Sequence, residues 1–155
     1  AELRNGPALG DLWLELEANQ ISDDGARALA ELRTAQSLRI LSLDLADNGL
    51  GPDGASALGK LCASASLHDL HLLLEDNPLG DAGAQGLAEL KNAPSLRRLH
   101  LVLRRCGLGS AGACALAELR AIPKLERLHL LLASNPLGSV ASAQALSEFQ
   151  STPTL

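Results

Sequence analysis

The sequence predicts an α/β solenoid in which a parallel sheet lines the concave side and helices line the convex side. Three observations predict it. Leucines recur with a strict period of 29 residues, each period begins with alternating leucines, and each ends with a block that has helical spacing. A strand and a helix of this size cannot enclose a core alone, so the units must stack side by side.

The strand of each unit is marked by the pattern L-x-x-L-x-L-x-L. The leucines that begin this pattern, 29 residues apart, are Leu9, Leu38, Leu67, Leu96 and Leu125. In the third unit Leu70, Leu72 and Leu74 alternate with other residues, which is the two-residue period of a strand with one buried face. The pattern therefore predicts a single array over residues 1–155, with repeats beginning near these five leucines.

A turn and a helix follow each strand. The turn position, ten residues into the unit, holds Asn19, Asn48, Asn77, Cys106 and Asn135. In the third unit Ala84, Leu87 and Leu90 then lie three residues apart, on one face of a helix. Asp81 is a candidate cap for the start of this helix, and Pro52 suits an early helical position, where its missing N–H costs nothing.

These motifs resemble the leucine-rich-repeat family. The 29-residue period with Asn-x-Leu-Gly-x-x-Gly-Ala-x-x-Leu is most similar to its ribonuclease-inhibitor-like subfamily, and the resemblance covers essentially the whole chain. It implies a right-handed leucine-rich-repeat solenoid, a horseshoe segment, in which the side chains at the five turn positions bond the loop backbone as a structural ladder. Two extra residues precede each turn position, so we expect strands about two residues longer than in that subfamily.

Both ends look like cuts through a longer array. Residues 1–7 align 87 residues upstream of residues 88–94, so we expect the chain to begin within a helix. Pro153 and Leu155 are expected to begin another unit. Terminal repeats of solenoids need a polar outer face, and neither end of the sequence has one.

Composition and motifs narrow the classes of function. No stretch approaches the ~20 apolar residues that a membrane helix needs, so no membrane insertion is expected. The 3 cysteines have no paired spacing, which favours an intracellular, reducing compartment over a secreted disulfide scaffold. The sequence has no phosphate-binding loop, zinc-protease motif or serine-hydrolase motif. We therefore predict that the protein is not an enzyme, with no catalytic residues, no cofactor and no metal.

Charge is distributed unevenly around a net value of −5. Residues 1–95 carry 15 acidic and 6 basic side chains, whereas residues 96–155 carry 3 acidic and 7 basic ones. A nucleic-acid-binding surface is basic throughout, so this split argues against nucleic acid. It favours a protein partner with the opposite gradient.

The residues between the leucines are expected to face the concave surface, where the period aligns them in rows across the strands. The first row is Asp11, Ile40, Asp69, Arg98 and Arg127, and the second is Trp13, Ser42, His71, His100 and His129. The third row is Glu15, Asp44, Leu73, Val102 and Leu131, and the fourth is Glu17, Ala46, Glu75, Arg104 and Ala133.

The third row contains the apolar residues Leu73, Val102 and Leu131 on adjacent strands. We interpret them as an outward apolar stripe, which is typical of an interface when it has a polar or charged rim. That predicted basic rim consists of Arg98, Arg104, Arg105 and Arg127. The alternative is that the three residues are ordinary strand formers.

The second row supplies two further candidates. Trp13 is the best single hot-spot candidate, unless it packs as a cap against a preceding coil. His71, His100 and His129 form a ladder that could hold Zn²⁺, could titrate and make partner affinity depend on pH, or could be solvated without a further role. Side chains that fan out from a curved sheet rarely converge on one ion, so no metal site is predicted.

We predict a protein-interaction module that binds a partner on its concave face. The candidate partner-binding residues are Trp13, Asp44, Asp69, His71, Leu73, Arg98, His100, Val102, Arg104, Arg127, His129 and Leu131. The alternative is a structural scaffold subunit held permanently in a large complex with several protein partners. A GTPase-activating regulator is a remote alternative that the resemblance implies, since ribonuclease-inhibitor-like repeats serve as inhibitors, sensors, cytoskeletal caps or GTPase-activating surfaces.

Overall fold

Strands and helices alternate along the chain, as the repeat predicts. In the computed structural model, which describes residues 9–138 and 140–147, the strands are β1 Asp11–Glu15, β2 Ile40–Asp44, β3 Asp69–Leu73, β4 Arg98–Val102 and β5 Arg127–Leu131. The α-helices are α1 Ser22–Ala30, α2 Pro52–Gly59, α3 Gly80–Ala88, α4 Ser110–Ala117 and α5 Val140–Ser147. The helix expected at residues 1–7 and the unit expected from Pro153 and Leu155 lie outside the described residues.

The five strands form one parallel sheet in the order β1-β2-β3-β4-β5. Every pairing has a register of one repeat, so that Trp13 lies beside Ser42, Ser42 beside His71, and His71 beside His100. The first three rows expected from the sequence are therefore true cross-strand neighbours. The alternation of parallel strands and helices confirms the predicted α/β solenoid.

A continuous spine of leucines fills the space between the sheet and the helices. Leu38, Leu67 and Leu96 are 1%, 4% and 1% exposed, and they belong to one core cluster with the alternate strand residues and the inward residues of the helices. Burying one leucine side chain stabilises the fold by about 1.5–3 kcal/mol. No single coil has enough of them to fold alone, so the stability of each coil depends on its neighbours.

Backbone pairing continues past the ends of the regular strands. After β2, Leu45 N–H donates to the Leu73 carbonyl at 2.8 Å and Asp47 N–H donates to the Glu75 carbonyl at 3.0 Å. Each regular strand has 5 residues, and these two further bonds extend the pairing toward the turn. The extra residues ahead of the turn position are accommodated in this way.

Each of the first four α-helices continues into a short 3-10 helix, which the sequence did not predict. The 3-10 helices that continue the first four α-helices are Glu31–Thr34, Lys60–Ala63, Glu89–Asn92 and Glu118–Ala121. Ala84 and Leu87 lie in α3, but Leu90 lies in the 3-10 segment, and all three are buried. A spacing of three residues is also the period of a 3-10 helix, so the pattern alone could not separate the two.

The coils alternate between two kinds of helix start. Before α2 and α4, Gly51 and Gly109 are extended, with φ of −98° and −95°. In α1 and α3 the first residue is instead left-handed, with φ of 58° at Ser22 and 60° at Gly80. The structural repeat is therefore a pair of coils.

This alternation explains why Asp81 does not cap its own helix, contrary to the sequence prediction. Its Oδ1 accepts hydrogen bonds from the N–H groups of Gly109 at 2.6 Å and Gly112 at 2.8 Å, at the start of α4 in the next coil. Asp23 likewise accepts from the Gly51 N–H at 2.7 Å, ahead of α2. A helix start leaves its N–H groups without partners and carries partial positive charge, so each carboxylate stabilises the neighbouring coil.

We expect Asp81→Ala to lower the free energy of unfolding by about 1–3 kcal/mol, because two backbone N–H groups of α4 lose their acceptor. Urea denaturation followed by circular dichroism measures the change. Asp24→Ala is the matched control, since Asp24 lies in α1 with its side chain 90% exposed and, within the described part of the chain, pairs with Arg27 alone. Its expected effect is within about 0.5 kcal/mol, and equal losses in the two variants would contradict the capping role.

None of the helices within the described ranges has the length and apolar character that crossing a membrane requires.

Candidate functional site

The concave face is built from alternate residues of the sheet. On β1, Leu12 and Leu14 pack against the core, whereas Asp11, Trp13 and Glu15 point to the other side and are exposed. A strand turns successive side chains to opposite faces, so every strand presents three residues in this direction. The first three predicted rows thus lie on one side of the sheet.

Trp13 is the most prominent side chain of this face. It is 63% exposed, and within the described residues only Val140, on α5, is a second large apolar side chain with such exposure. The indole reaches across β2 to His71 of β3, with ring centroids 5.9 Å apart. This contact is possible because the intervening cross-strand neighbour, Ser42, is small.

The imidazoles of the second row form a stacked histidine ladder. His71 and His100 meet edge to face with centroids 5.5 Å apart, and His100 and His129 stack at 4.5 Å with an interplanar angle of 15°. Rings that stack in this way do not direct their nitrogens to one point. Across the described ranges, no group of three His, Cys, Asp or Glu side chains is placed to hold a metal ion.

His100 lies in the middle of the ladder, with its Nε2 atom buried and lacking a hydrogen-bond partner among the described residues. Burial lowers the pKa of His100 below its ordinary value of 6.5, and the neighbouring His129 and His71 lower it further. The charged groups of the neighbouring first row do not offset these effects. The buried carboxylate of Asp69 is paired with Arg98, and Arg127 is exposed. The neutral imidazole is therefore the form that this environment favours.

We expect acid to destabilise the fold through His100. Since the pKa of His100 is lowered in the folded state, the unfolded chain binds more protons once the pH falls below about 6.5. The stabilising contribution is complete above pH 6.5 and is lost as the pH falls through the lowered pKa. His100→Gln should therefore flatten the decline of the urea midpoint between about pH 7 and 5, whereas Ser42→Ala, in the same row, should keep the wild-type slope. An unchanged slope in His100→Gln would contradict the expectation.

The third row is less open than the sequence predicted. Val102 is only 5% exposed, and Leu73 and Leu131 are half-buried. Val102 has the shortest of the three side chains and lies between the two leucines in the cross-strand register, so they cover it on both sides. The prediction of an outward apolar stripe is therefore wrong at Val102, which belongs to the packing of the sheet.

The predicted basic rim is partly neutralised by the chain itself. Arg98 forms a bidentate pair with Asp69, with Nε–Oδ1 of 2.7 Å and Nη2–Oδ2 of 2.5 Å, and the whole Asp69 residue is only 5% exposed. Arg105 forms a bidentate pair with Asp76, and these hydrogen bonds lower the pKa of the Asp76 carboxyl. The pairs join neighbouring coils, and two of the four rim arginines are thereby occupied.

Charged side chains without such partners remain at the two margins of the concave face. Arg104 and Arg127 are exposed and make no ion pair within the described part of the chain. At the opposite margin the same holds for Asp11, Glu15 and Glu17. The sequence reading left these three acids out of the candidate site, although their rows beside Trp13 and the acidic excess of residues 1–95 were a usable signal.

Asp44, also predicted to bind a partner, is engaged locally. Its half-buried carboxylate accepts a hydrogen bond from the backbone N–H of Ala46 at 3.2 Å. In the sheet register it lies between Glu15 and Leu73.

The turn ladder lies beneath this surface and ties the coils together. Asn77 Oδ1 accepts from the N–H groups of Asn48 at 3.1 Å and Leu50 at 2.9 Å, and its Nδ2 donates to the Leu45 carbonyl at 2.8 Å and the Leu74 carbonyl at 3.0 Å. Other asparagines of the ladder, Asn48 and Asn135, bond the backbone of the preceding coil in the same way. Asn19 is exposed, and its Nδ2 donates to the carbonyl of Glu17.

Cys106 occupies the fourth turn position, where its thiol replaces only the donor half of an asparagine amide. Its Sγ donates to the Leu74 carbonyl at 3.2 Å, as an asparagine Nδ2 does elsewhere in the ladder, and burial raises the thiol pKa to about 11. A thiol offers no amide oxygen to the preceding turn. That turn contains Pro78, and the Leu79 N–H bonds the Asn77 carbonyl within the turn at 2.8 Å. The local bond explains why a cysteine is tolerated here.

Comparisons with known proteins agree with this architecture. A family model described as Leucine Rich repeat matches residues 14–30, 37–59 and 65–88, and no curated protein sequence matches the chain. Among solved structures the chain is similar to the tropomodulin C-terminal domain of Caenorhabditis elegans, with a TM-score of 0.65 and 19% identity over 96% of this chain and 87% of that one. The ribonuclease-inhibitor-like subfamily stays a prediction. The three matched segments are leucine-rich repeats, and the chain has the fold of a leucine-rich-repeat solenoid.

Proposed function

We propose that the protein is an interaction module that binds a protein partner across its concave face. The observation that carries the proposal is Trp13, whose side chain is 63% exposed on β1. A tryptophan contributes about 150–250 Å² of contact area, and tryptophan is enriched among the residues that dominate binding energy. Solenoid repeats use such extended concave surfaces for binding.

The face around Trp13 supports a preorganised site. The indole is braced against His71, and both residues lie on strands that are hydrogen-bonded into the sheet. A side chain already held in place loses little conformational freedom when a partner covers it. Trp13 is therefore suited to anchor a contact that the half-buried leucines of the third row extend.

A photo-crosslinking experiment tests the proposal. A diazirine-bearing aliphatic amino acid replaces Ile40, which lies on the concave face next to β1, and in a control protein it replaces Gln85, which is exposed on α3. Irradiation in the native extract should give a discrete protein adduct from position 40 only. Trp13→Ala should abolish the adduct.

Two outcomes would count against concave binding. Adducts of equal yield from positions 40 and 85 would mean that no face is preferred. An adduct from position 40 that Trp13→Ala leaves unchanged would remove the tryptophan from the interface.

A further inference from the structure

We infer that the partner segment carries a charge order opposite to that of the concave face, with basic side chains over β1 and β2 and acidic side chains over β4 and β5. The inference rests on the proposed function and specifies the chemistry of the protein that binds there. It follows from the charged side chains of this face that have no counter-charge among the described residues.

The β1 margin is acidic and aromatic. Asp11, Trp13 and Glu15 project from β1 on the same side, and Glu17 follows them in the fourth row. Side chains two residues apart on a strand are about 6.6 Å from each other, so carboxylates flank the indole on both sides. A lysine or arginine side chain over the indole would gain a cation–π contact and a neighbouring carboxylate together.

The opposite margin is basic because two of the acids beside it, Asp69 and Asp76, are already paired. Between neighbouring coils, Asp69 is ion-paired with Arg98, and Asp76 is ion-paired with Arg105. Arg104 and Arg127 lie beyond these pairs, exposed and without an ion pair among the described residues. Their guanidinium groups fit carboxylates of a partner.

The two margins together select the class of partner. The four spacings between β1 and β5 cover about 19 Å. A nucleic acid carries negative charge along its whole length, so the β1 carboxylates would repel one end of any strand lying across the face. A protein segment can reverse its charge over this distance, which about 13 helical residues span.

Trp13 provides a local probe for the test, because it is the 1 tryptophan of the chain. The test compares three helical peptides of about 13 residues, each with the same apolar face. They carry lysines in the first half and glutamates in the second, lysines throughout, or glutamates throughout. We expect the mixed-charge peptide to bind about tenfold more tightly than the all-lysine peptide, and the all-glutamate peptide to leave Trp13 fluorescence unchanged.

Charge-neutral variants identify the groups responsible. The triple variant Asp11→Asn, Glu15→Gln and Glu17→Gln should bind the mixed-charge peptide about fivefold more weakly, and this loss of affinity should shrink at high salt. The matched control has the same change in net charge on the helical side and consists of Asp24→Asn, Asp53→Asn and Glu89→Gln. It should leave the affinity unchanged.

The basic margin is tested in the same way. The double variant Arg104→Gln, Arg127→Gln should bind the mixed-charge peptide about fivefold more weakly. The corresponding control is Lys60→Gln with Lys124→Gln, at exposed positions outside the sheet. Circular dichroism should give the same unfolding midpoint for this double variant and its control, because neither Arg104 nor Arg127 makes an ion pair among the described residues.

Several outcomes would overturn the inference. These are equal affinity for the three peptides, tightest binding of the all-glutamate peptide, no binding of any peptide, or control variants as damaging as the face variants. Failure of the charge order is separable from failure of the proposed function. If the adduct from position 40 persists while the charge variants leave its yield unchanged, the concave face binds a protein by other chemistry.

Discussion

Asn77→Ala is expected to lower the free energy of unfolding by about 3–5 kcal/mol. The residue is 0% exposed, and its amide accepts from two backbone N–H groups and donates to three backbone carbonyls. Alanine would leave the N–H groups of Asn48 and Leu50 without this acceptor inside the solenoid. Each buried group without a partner costs about 1–3 kcal/mol, and urea denaturation at neutral pH measures the total.

Two comparison variants make the Asn77 prediction specific. Asn19→Ala removes the same side chain at the first turn position. There the amide is exposed and, among the residues the structure describes, bonds the Glu17 carbonyl alone, so we expect a loss below about 1 kcal/mol. Asn77→Cys should cost less than Asn77→Ala, because a thiol can donate as Cys106 does. Equal losses for Asn77→Ala and Asn19→Ala would show that the ladder does not join the coils energetically.

The sheet could be predicted from the sequence because its register depends on one quantity, the 29-residue spacing of leucines. A parallel strand can shift only at the cost of removing leucines from the core, so a constant spacing fixes every cross-strand neighbour. The pairing of Trp13 with Ser42 and of His71 with His100 follows directly. The same reasoning places Asp69 beside Arg98, and the ion pair between them was therefore predictable from positions one period apart.

Other features depend on distances that spacing does not give. The burial of Val102 depends on how closely Leu73 and Leu131 pack around it, and the tightening at Leu90 depends on how the helix meets the return loop. The contact of Asp81 with Gly109 requires a pair of coils as the repeating unit. A sequence signal for that pair exists, since the capping aspartates stand 58 residues apart, at positions 23 and 81.

Gly59→Ala is expected to lower the free energy of unfolding by about 3 kcal/mol, at the upper end of the usual cost of overpacking. Gly59 ends α2 against α3, and a Cβ added there would overlap the carbonyl oxygen of Gly86 and lie 2.9 Å from its carbonyl carbon. These are backbone atoms, so no side-chain rotation can relieve the overlap. A Cβ on Gly86 would in turn lie 2.5 Å from Cα of Ser56. Thermal and urea unfolding measure the loss.

Gly10→Ala is the control for this prediction, since a Cβ at Gly10 meets no atom of the described residues within 4 Å. We expect it to change stability by less than about 0.5 kcal/mol. The glycine contact sets how closely the helical sides of the second and third coils approach, whereas backbone hydrogen bonds fix the spacing of β2 and β3. Widening the helical side alone would tilt the coils and narrow the concave face. Gly59→Ala should therefore also weaken partner binding at the concave face, although Gly59 does not lie on that face. If Gly59→Ala proved as stable as Gly10→Ala, the two helices could separate freely and this link between packing and surface shape would not hold.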